Sequence, residues 1–383
     1  MHILFIANCE VLYGANRSMI DLAVGLQNLG QDIYFFIPYQ GTMESRHILR
    51  MKLEEYGFAY AFMRYVPSVH LSCEKGMAEK MLRREINAQC QIKMKAYIAK
   101  WEIDIIHTNS LTHMIGASLS KQTHKPHVWH VREALKNHYD FHYDSVVSYR
   151  HALRNAGKII CISEYVRKTH RKMLRDASVI VLRDGFCVDK YVLDGVYNKC
   201  QTEYRMLICG VIYEGKGQLE AVKAVDSLLN RYNMRNIHLQ IVGDGSGDYY
   251  NKIKDYIQEK DLYDYVEMLP FQEDLREIRK NTDIALMCSK SEALGRVTVE
   301  SMLSENLVIG ADSGGTAEII KDGVNGHLYK CGDAKDLCGK IYYAITHWNE
   351  QERIIANAKE YAIANYDISL YAKRMMGIYK SVL

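Results

Sequence analysis

The sequence predicts an α/β protein built from two domains, each a doubly wound parallel sheet. Three observations support this prediction. The chain has 383 residues, which is more than one hydrophobic core usually holds. Short apolar runs alternate with longer amphipathic segments along the whole sequence, as repeated β-α-β units require. Many of the short runs are apolar throughout, which is typical of parallel strands buried on both faces.

Eleven short runs are the candidate strands of two Rossmann-like domains. In the first half they begin at His2, Ile33, Asp104, His127, Lys158 and Ser178. In the second half they begin at Arg205, His238, Tyr265, Asp283 and Asn306. The segment 186–204 shows no clear period and marks the boundary between the two sets. We therefore predict a first domain over residues 1–190, a second over 191–360, and a C-terminal helix over 361–383 that crosses back to the first domain.

The composition argues against several classes of protein. Hydrophobic residues make up 48% and charged residues 25%, as in ordinary globular proteins, and a net charge of +3 is too small to indicate nucleic-acid binding. The ten cysteines form no C-x-x-C pair, so reduced thiols in the cytoplasm are a simpler interpretation than a disulfide framework. The opening MHILFIANCE lacks the basic region of a signal peptide, and no apolar run approaches the ~18 residues of a spanning helix.

Two turns in the second half have the glycines of a phosphate-binding loop. The first, from Gly210 to Lys216, matches G-x-x-x-x-G-K, but Gly217 stands where a P-loop has the Ser or Thr that binds Mg²⁺. No strand ends in a convincing Mg²⁺ carboxylate, so ATPase chemistry is poorly supported, and a plain surface lysine is the alternative interpretation. The second turn, ADSGGTAEII from Ala311, has paired glycines that either approach a ligand or simply turn the chain.

A further turn, CSKSEALGRVTVESM, carries two glutamates. Glu292 is expected in the loop after a strand, and Glu300 in the helix that follows the tight turn at Gly295. The N-terminus of such a helix exposes unpaired N–H groups that hold a phosphate without a metal, and Arg296 lies beside it. Carboxylates on either side suit the hydroxyls of a ribose and a sugar. The alternative is that both glutamates only favour the helix start electrostatically.

The order of these motifs resembles that of glycosyltransferase family 4, the nucleotide-sugar-dependent transferases with the GT-B fold. The resemblance covers nearly the whole chain. In the second half the paired glutamates are followed by SGGTAEII and DGVNGHLY, a composite pattern far more specific than any piece alone. In the first half DIIHTNS, VWHVRE and GKIICISEYVRK fall in the family's order. The resemblance implies two domains facing each other across a cleft and transfer of a sugar, with retention of configuration, from a UDP- or GDP-linked donor.

The resemblance also implies how the donor is bound. Lys216 corresponds to the lysine that binds the diphosphate, and Glu300 to the carboxylate that holds the ribose. The backbone N–H groups expected to face the phosphates belong to Gly295, Arg296 and Val297. Val211 stands where the family often has an arginine, and the side chain of Arg296 is the candidate for the missing charge.

Two further positions are implied to be catalytic, and one to approach the donor. Glu292 resembles the residue that binds hydroxyls of the transferred sugar, and His130 the histidine near that sugar at the cleft. Gly14 lies in the loop that approaches the donor phosphate. The resemblance implies no metal and no cofactor besides the nucleotide-sugar co-substrate, because a lysine and a helix dipole neutralise the departing diphosphate.

The expected acceptor is a hydroxyl of a glycan or polyprenyl-linked glycan, in capsule, exopolysaccharide or glycoconjugate assembly. A nucleic-acid partner is not expected. The expected location is the cytoplasm or the inner face of the cell membrane. A sugar-nucleotide epimerase of the GT-B fold is the alternative enzyme, since it shares the two-domain architecture.

One segment of the first domain bears on the acceptor. From Lys75 to Lys100 it has seven basic and two acidic residues. Its apolar residues recur near helical spacing at Met77, Met81, Leu82, Ile86, Cys90, Met94, Tyr97 and Ile98. The pattern predicts a basic amphipathic helix, a form that lies on anionic lipid. A helix that packs this stripe on the sheet and keeps its lysines in water is the alternative.

Overall fold

The protein is described by a computed structural model that covers residues 1–12, 14–39, 43–70, 76–134, 142–192 and 202–383, without the side chains of 43–47 and 70. The chain forms two compact units. The first comprises Met1–Phe186 and Tyr366–Leu383, and the second comprises Cys187–Asn365. The predicted boundaries after residues 190 and 360 differ from these by four and five positions.

The first unit contains a seven-stranded sheet and a two-stranded ribbon. Its strands are β1 (His2–Ile6), β2 (Asp32–Pro38), β3 (Ala59–Met63), β4 (Val69–His70), β5 (Ile105–Asn109), β6 (His127–Val131), β7 (His142–Tyr143), β8 (Lys158–Cys161) and β9 (Val179–Val181). The sheet has the order β3-β2-β1-β5-β6-β8-β9 with every neighbouring pair parallel, and β4 pairs with β7 antiparallel. All six strands predicted in the first half are present.

Helices cover both faces of this sheet because its strands alternate side chains between the two faces. The helices of this unit between β1 and β9 are α1 (Gly14–Gln27), α2 (Met43–Glu55), α3 (Met77–Lys100), α4 (Ile115–Thr123), α5 (Val146–Arg154) and α6 (Glu164–Thr169). Ile3 and Phe5 of β1 pack in the core shared with α1, whereas Leu4 and Ile6 pack in the core shared with α3 and α4. A sheet buried on both faces explains the continuously apolar strands of the sequence.

The second unit repeats this architecture with six parallel strands. They are β10 (Tyr204–Cys209), β11 (Ile237–Val242), β12 (Val266–Leu269), β13 (Ile284–Met287), β14 (Leu307–Ala311) and β15 (His327–Tyr329), in the order β12-β11-β10-β13-β14-β15. Its helices are α7 (Gln218–Tyr232), α8 (Asp248–Glu259), α9 (Arg276–Lys280), α10 (Arg296–Leu303), α11 (Gly314–Ile319), α12 (Ala334–Thr346) and α13 (Trp348–Tyr366). All five strands predicted in the second half are present, so the doubly wound α/β class is confirmed in both units.

The last helix, α14 (Ile368–Lys380), belongs to the first unit. The chain leaves that unit at Phe186 and returns beside it, since the Phe186 N–H donates to the Tyr366 carbonyl at 2.7 Å and the Ile368 N–H to the Phe186 carbonyl at 2.9 Å. Tyr371 and Met375 of α14 are buried in the core that holds α1. Among the described residues, no helix combines the length and the apolar character needed to cross a membrane.

Candidate active site

Three of the predicted turns meet at the carboxyl edge of the second sheet. The Lys290 N–H, after β13, donates to the carbonyl of Gly215, after β10, at 2.9 Å. The Ser313 hydroxyl, after β14, donates to the Lys290 carbonyl at 2.5 Å, and the Gly315 N–H donates to the Glu292 carbonyl at 2.7 Å. Segments up to about a hundred residues apart therefore form one continuous loop surface, where open α/β sheets bind ligands.

The glycine that breaks the P-loop match has a steric reason. Gly217 has φ +73°, in the left-handed region, and a Cβ there would lie 2.3 Å from the Cys288 carbonyl oxygen. A Ser or Thr would therefore collide with the neighbouring loop. The close contact holds the short 3₁₀ turn Glu214–Lys216 against the loop after β13. The turn therefore has no side-chain hydroxyl at the position where a P-loop binds Mg²⁺.

Lys216 and Glu292, both predicted to bind the donor, are ion-paired with each other through Nζ and Oε1. The Ser289 hydroxyl also donates to Glu292 Oε1, at 3.2 Å. Burial by itself lowers the pKa of Lys216, but the charge of Glu292 and its hydrogen bond outweigh this and raise that pKa above its usual value. Lys216 is therefore cationic at neutral pH, and its side chain, 22% exposed, is not the freely solvated lysine of the alternative interpretation.

The second predicted glutamate has arginine partners. The turn at Gly295, φ +93°, starts α10, which carries Glu300 on its second turn. Arg279 Nη2 donates to Glu300 Oε2 at 2.5 Å, and Arg296 Nε lies 3.6 Å from Oε1. The Arg279 guanidinium lies 5.7 Å from the ring centroid of Tyr191. Burial by itself lowers the pKa of Arg279, but the charge of the Glu300 carboxylate outweighs this effect and raises that pKa. The sequence does not indicate Arg279, because its pattern is the same as that of a surface arginine on a short helix.

Two buried hydroxyls lie beside the start of α10. Thr298 Oγ1 and Thr316 Oγ1 have no hydrogen-bond partner in the described part of the chain. A Cβ placed on Gly295 would lie 3.1 Å from the first and 3.3 Å from the second. A buried hydroxyl without a partner is costly, so such groups favour a polar ligand within reach. Together with the N–H groups of Arg296 and Val297, they give this turn several hydrogen-bond donors for an anion.

The first unit holds the other two predicted residues. Gly14 is exposed at the start of α1, and the preceding residue lies outside the described residues. His130, on β6, is fully buried, and its Nδ1 lies 3.3 Å from both His107 Nε2 and Arg132 Nη2. Burial first, and then Arg132, hold the pKa of His130 well below its usual value, so the ring is neutral. A direct contact of this enclosed imidazole with a sugar stays a prediction.

The surroundings of His130 form a polar network that the sequence analysis did not predict. Arg132 donates from Nη1 to both carboxylate oxygens of Asp184, at 2.6 and 2.5 Å, and from Nε to Asn109 Oδ1 at 2.5 Å. Asn109 Nδ2 donates to the Ala15 carbonyl at 3.2 Å, within the first turn of α1. The network thus ties the carboxyl ends of β5 and β6 to the helix that begins at Gly14. The sequence signal that could have indicated this network is the alternation in VWHVRE, which puts His130 and Arg132 on one face of the strand.

The described residues contain no group of three or more His, Cys, Asp or Glu placed to hold a metal ion. Cys209 ends β10 near Lys216 and Arg279. Burial raises the pKa of its thiol, an effect that the two cations only partly offset, so the thiol is protonated at neutral pH. This surface therefore offers three largely buried cations, two carboxylates and a set of N–H and O–H donors.

Comparisons with known proteins agree with this architecture. Residues 13–186 match the model of Glycosyltransferase Family 4, and residues 193–361 match that of Glycosyl transferases group 1. An uncharacterised glycosyltransferase of Methanocaldococcus jannaschii is 26% identical over 68% of this chain and 70% of its own. The lipopolysaccharide 1,2-N-acetylglucosaminetransferase of Salmonella typhimurium is 25% identical over 57% of this chain and 61% of its own.

Among solved structures, the Anabaena protein HepE in complex with UDP and glucose superimposes with a TM-score of 0.81 at 21% identity, over the full length of both chains. The same protein in complex with UDP-glucose gives a TM-score of 0.80. The two family models cover complementary halves of the chain, and they meet where one compact unit gives way to the next. The protein is therefore a glycosyltransferase with the GT-B fold and belongs to the family 4 group.

Proposed function

We propose that the protein transfers a sugar from a nucleoside diphosphate sugar to a hydroxyl of a glycan or lipid-linked glycan, with retention of anomeric configuration. The observation that carries this proposal is the meeting of the Lys216 turn, the Glu292 loop and the start of α10 at one sheet edge. A diphosphate needs cations and N–H donors, and a sugar needs carboxylates for its hydroxyls. The loop surface of the second unit offers both.

In the proposed complex, Lys216 binds the diphosphate and Glu300 accepts hydrogen bonds from the ribose hydroxyls. The backbone N–H groups at Gly295, Arg296 and Val297 bind the phosphate oxygens. Arg279, fixed on Glu300 at 2.5 Å, orients that carboxylate. The orientation matters because a carboxylate held in place loses less conformational freedom when it binds the ligand.

Glu292 and Lys216 are coupled in this proposal. The diphosphate competes with Glu292 for the lysine, so donor binding releases the carboxylate to accept hydrogen bonds from the sugar. Uridine diphosphate is the preferred nucleotide, since HepE, with the same fold, was solved with UDP. Phe271 follows β12 at the same sheet edge and is 56% exposed, so its segment is the candidate for contact with the base.

The proposed reaction breaks the bond between the anomeric carbon and the diphosphate oxygen and joins that carbon to the acceptor oxygen on the same face. The acceptor proton passes to the departing phosphate. Lys216 and the N-terminus of α10 stabilise the negative charge that develops on the diphosphate. In other transferases a metal ion has this role. The proposal therefore includes metal-independent transfer of a hexose or related sugar.

The acceptor is proposed to be a growing glycan, soluble or carried on a polyprenyl lipid, in polysaccharide or glycoconjugate assembly. The Salmonella relative is named for lipopolysaccharide, which supports this class. The location proposed is the cytoplasm or the inner face of the cell membrane, where such acceptors are available. His130 is assigned a positioning role through Arg132, and contact with the donor sugar is not required of it.

A panel of UDP-, GDP-, ADP- and dTDP-sugars tests the donor by thermal shift. We expect a UDP-sugar to raise the melting temperature most, and Glu300→Gln to abolish that rise. Product analysis then tests the chemistry: free UDP and a glycosylated acceptor support transfer, whereas an isomerised nucleotide sugar identifies the epimerase. A panel with no stabilising nucleotide would contradict the proposed donor site.

A further inference from the structure

Helix α3 extends past the sheet on which it packs. Its 24 residues span about 36 Å at 1.5 Å per residue, whereas the five residues of β5 span only about 17 Å. The C-terminus of α3 leads into the start of β5, so the helix runs antiparallel to the strands. Its N-terminal end therefore points to the carboxyl edge of the sheet, the edge of the first unit that carries Gly14 and Asn109.

Two side chains fix where the helix passes that edge. Asn87 accepts from the Val66 N–H at 2.9 Å and donates to the Val66 carbonyl at 3.1 Å. Arg83 donates to the Pro67 carbonyl at 2.7 Å. Val66 and Pro67 follow the end of β3, so they lie at the carboxyl edge. The segment Met77–Leu82 consequently lies beyond the carboxyl edge of the seven-stranded sheet.

The apolar stripe predicted for this helix divides into two parts. Cys90, Met94 and Ile98 are buried against the sheet, as the core-packing interpretation requires. Met77, Met81 and Ile92 are 69%, 62% and 67% exposed. Residues 77, 81 and 92 lie within about 60° of one another on a helix of 3.6 residues per turn, so these side chains form one outward strip.

Cations lie along the outward strip and to both sides of it. At 100° per residue, Lys95 is in line with Met77, and Arg84 lies about 20° to one side. Lys93 and Lys100 lie about 80–100° beyond the other edge of the strip. Six basic and two acidic residues occur from 76 to 100, and Glu85 is the acidic side chain of the outward face. Arg83 donates to the Pro67 carbonyl and pairs with Glu79 at 3.5 Å. Its contacts therefore lie within the first unit.

We propose that the outward face of α3 binds an anionic lipid surface. An exposed apolar strip with cations along it and to both sides matches the acyl boundary and phosphate headgroups of such a surface, where apolar burial and electrostatic attraction act together. Bound this way, the helix places the carboxyl edge of the first sheet next to the lipid. This inference rests on the proposed function for the lipid-linked acceptor, but the binding itself is independent of the donor.

Flotation with vesicles of phosphatidylcholine alone, or with phosphatidylglycerol added, tests the binding without any donor. We expect the wild-type protein to float with the anionic vesicles at low salt and to be released at high salt, because screening acts over about a Debye length. The variant Arg84→Gln/Lys93→Gln/Lys95→Gln should bind on the order of 100-fold more weakly. Met77→Ser/Met81→Ser/Ile92→Ser should also lose flotation.

The matched control neutralises three exposed cations elsewhere in the first unit, in Lys121→Gln/Arg150→Gln/Lys373→Gln. It should float like the wild type. Wild-type protein that stays in the soluble fraction, equal losses in the control and the α3 charge variant, or full flotation of the serine variant would each overturn the inference. UDP binding measured on the same preparations reports the donor site separately, so a failed flotation with intact UDP binding leaves the proposed transferase activity standing.

Discussion

Replacing Arg279 with methionine should destabilise the second unit strongly. The guanidinium is 3% exposed, and its closest carboxylate, Glu300, is 12% exposed. Removing one partner of a buried ion pair costs about 3–5 kcal/mol when the remaining charge stays buried. Arg296, 3.6 Å from Glu300 Oε1, compensates part of that charge, so we expect a cost of about 3 kcal/mol. At ~2–4 °C per kcal/mol for a unit of this size, Arg279→Met should lower the melting temperature by roughly 10 °C. UDP binding should weaken as well, since Glu300 loses the group that orients it.

A double-mutant cycle separates the pair from other effects of the substitution. Adding Glu300→Gln to Arg279→Met removes the stranded charge and should recover about half or more of the lost stability. Arg276→Met on the same short helix is the matched control, because Arg276 is exposed and pairs with Asp274 on the surface. Urea unfolding measures the wild type, Arg279→Met, Glu300→Gln, the double variant and Arg276→Met. A single variant within 1 kcal/mol of the wild type, or a double variant no more stable than Arg279→Met, would refute this reasoning.

Three further outcomes are expected. Lys216→Ala should weaken UDP binding by ~1–3 kcal/mol in calorimetry, the value of a charge-assisted hydrogen bond, whereas Lys290→Ala on the neighbouring loop should not. Sugar transfer should continue in excess EDTA, and a loss restored by Mg²⁺ or Mn²⁺ would contradict the proposed mechanism. Burial lowers the pKa of His113 to about 4, of His127 to about 3 and of His170 to about 4. Because the unfolded chain binds these protons from about pH 6.5 downward, stability should hold above pH 6.5 and fall toward pH 4 by up to ~1.4 kcal/mol per pH unit per histidine; urea midpoints equal at pH 7.5 and 5.0 would contradict this.

The strands that the sequence did not predict are two edge strands of the large sheets and the two short strands of the ribbon. Every predicted strand lies in one of the two sheets. The additional sheet strands, β3 and β15, are edge strands, and β15 has only three residues. In β3 the side chains at Ala59, Tyr60 and Phe62 are not fully buried, so AYAFM lacks the continuous burial of a central strand. Short apolar runs identify the strands that are enclosed on both faces. The other two edge strands, β9 and β12, were predicted, so an edge position alone does not hide a strand.

The sequence predicted the parts of the candidate site that depend on the order of motifs along the chain. It did not predict the ion pairs between residues that are far apart in the sequence. Glycines, strand ends and helix starts are local, so the sequence could bring Lys216, Glu292 and Glu300 to one sheet edge. The shortest ion pairs of these charges are not local. Arg279 is 21 residues from Glu300, and Arg132 is 52 residues from Asp184. Such pairs are selected by tertiary packing, and a surface arginine of a short helix has the same sequence signature as a buried one.

The return of the chain to the first unit affects the order in which the protein can fold during synthesis. Domains commonly fold as units as they leave the ribosome, the N-terminal one first. Here the first unit lacks part of its core until α14 has emerged. Before then Tyr371 and Met375 are missing from the apolar core beside α1, and His107 lacks the Tyr379 hydroxyl 2.7 Å from its Nδ1. The second unit, continuous from Cys187 to Asn365, is complete earlier. The nascent chain therefore completes its second unit before its first unit can acquire its full core.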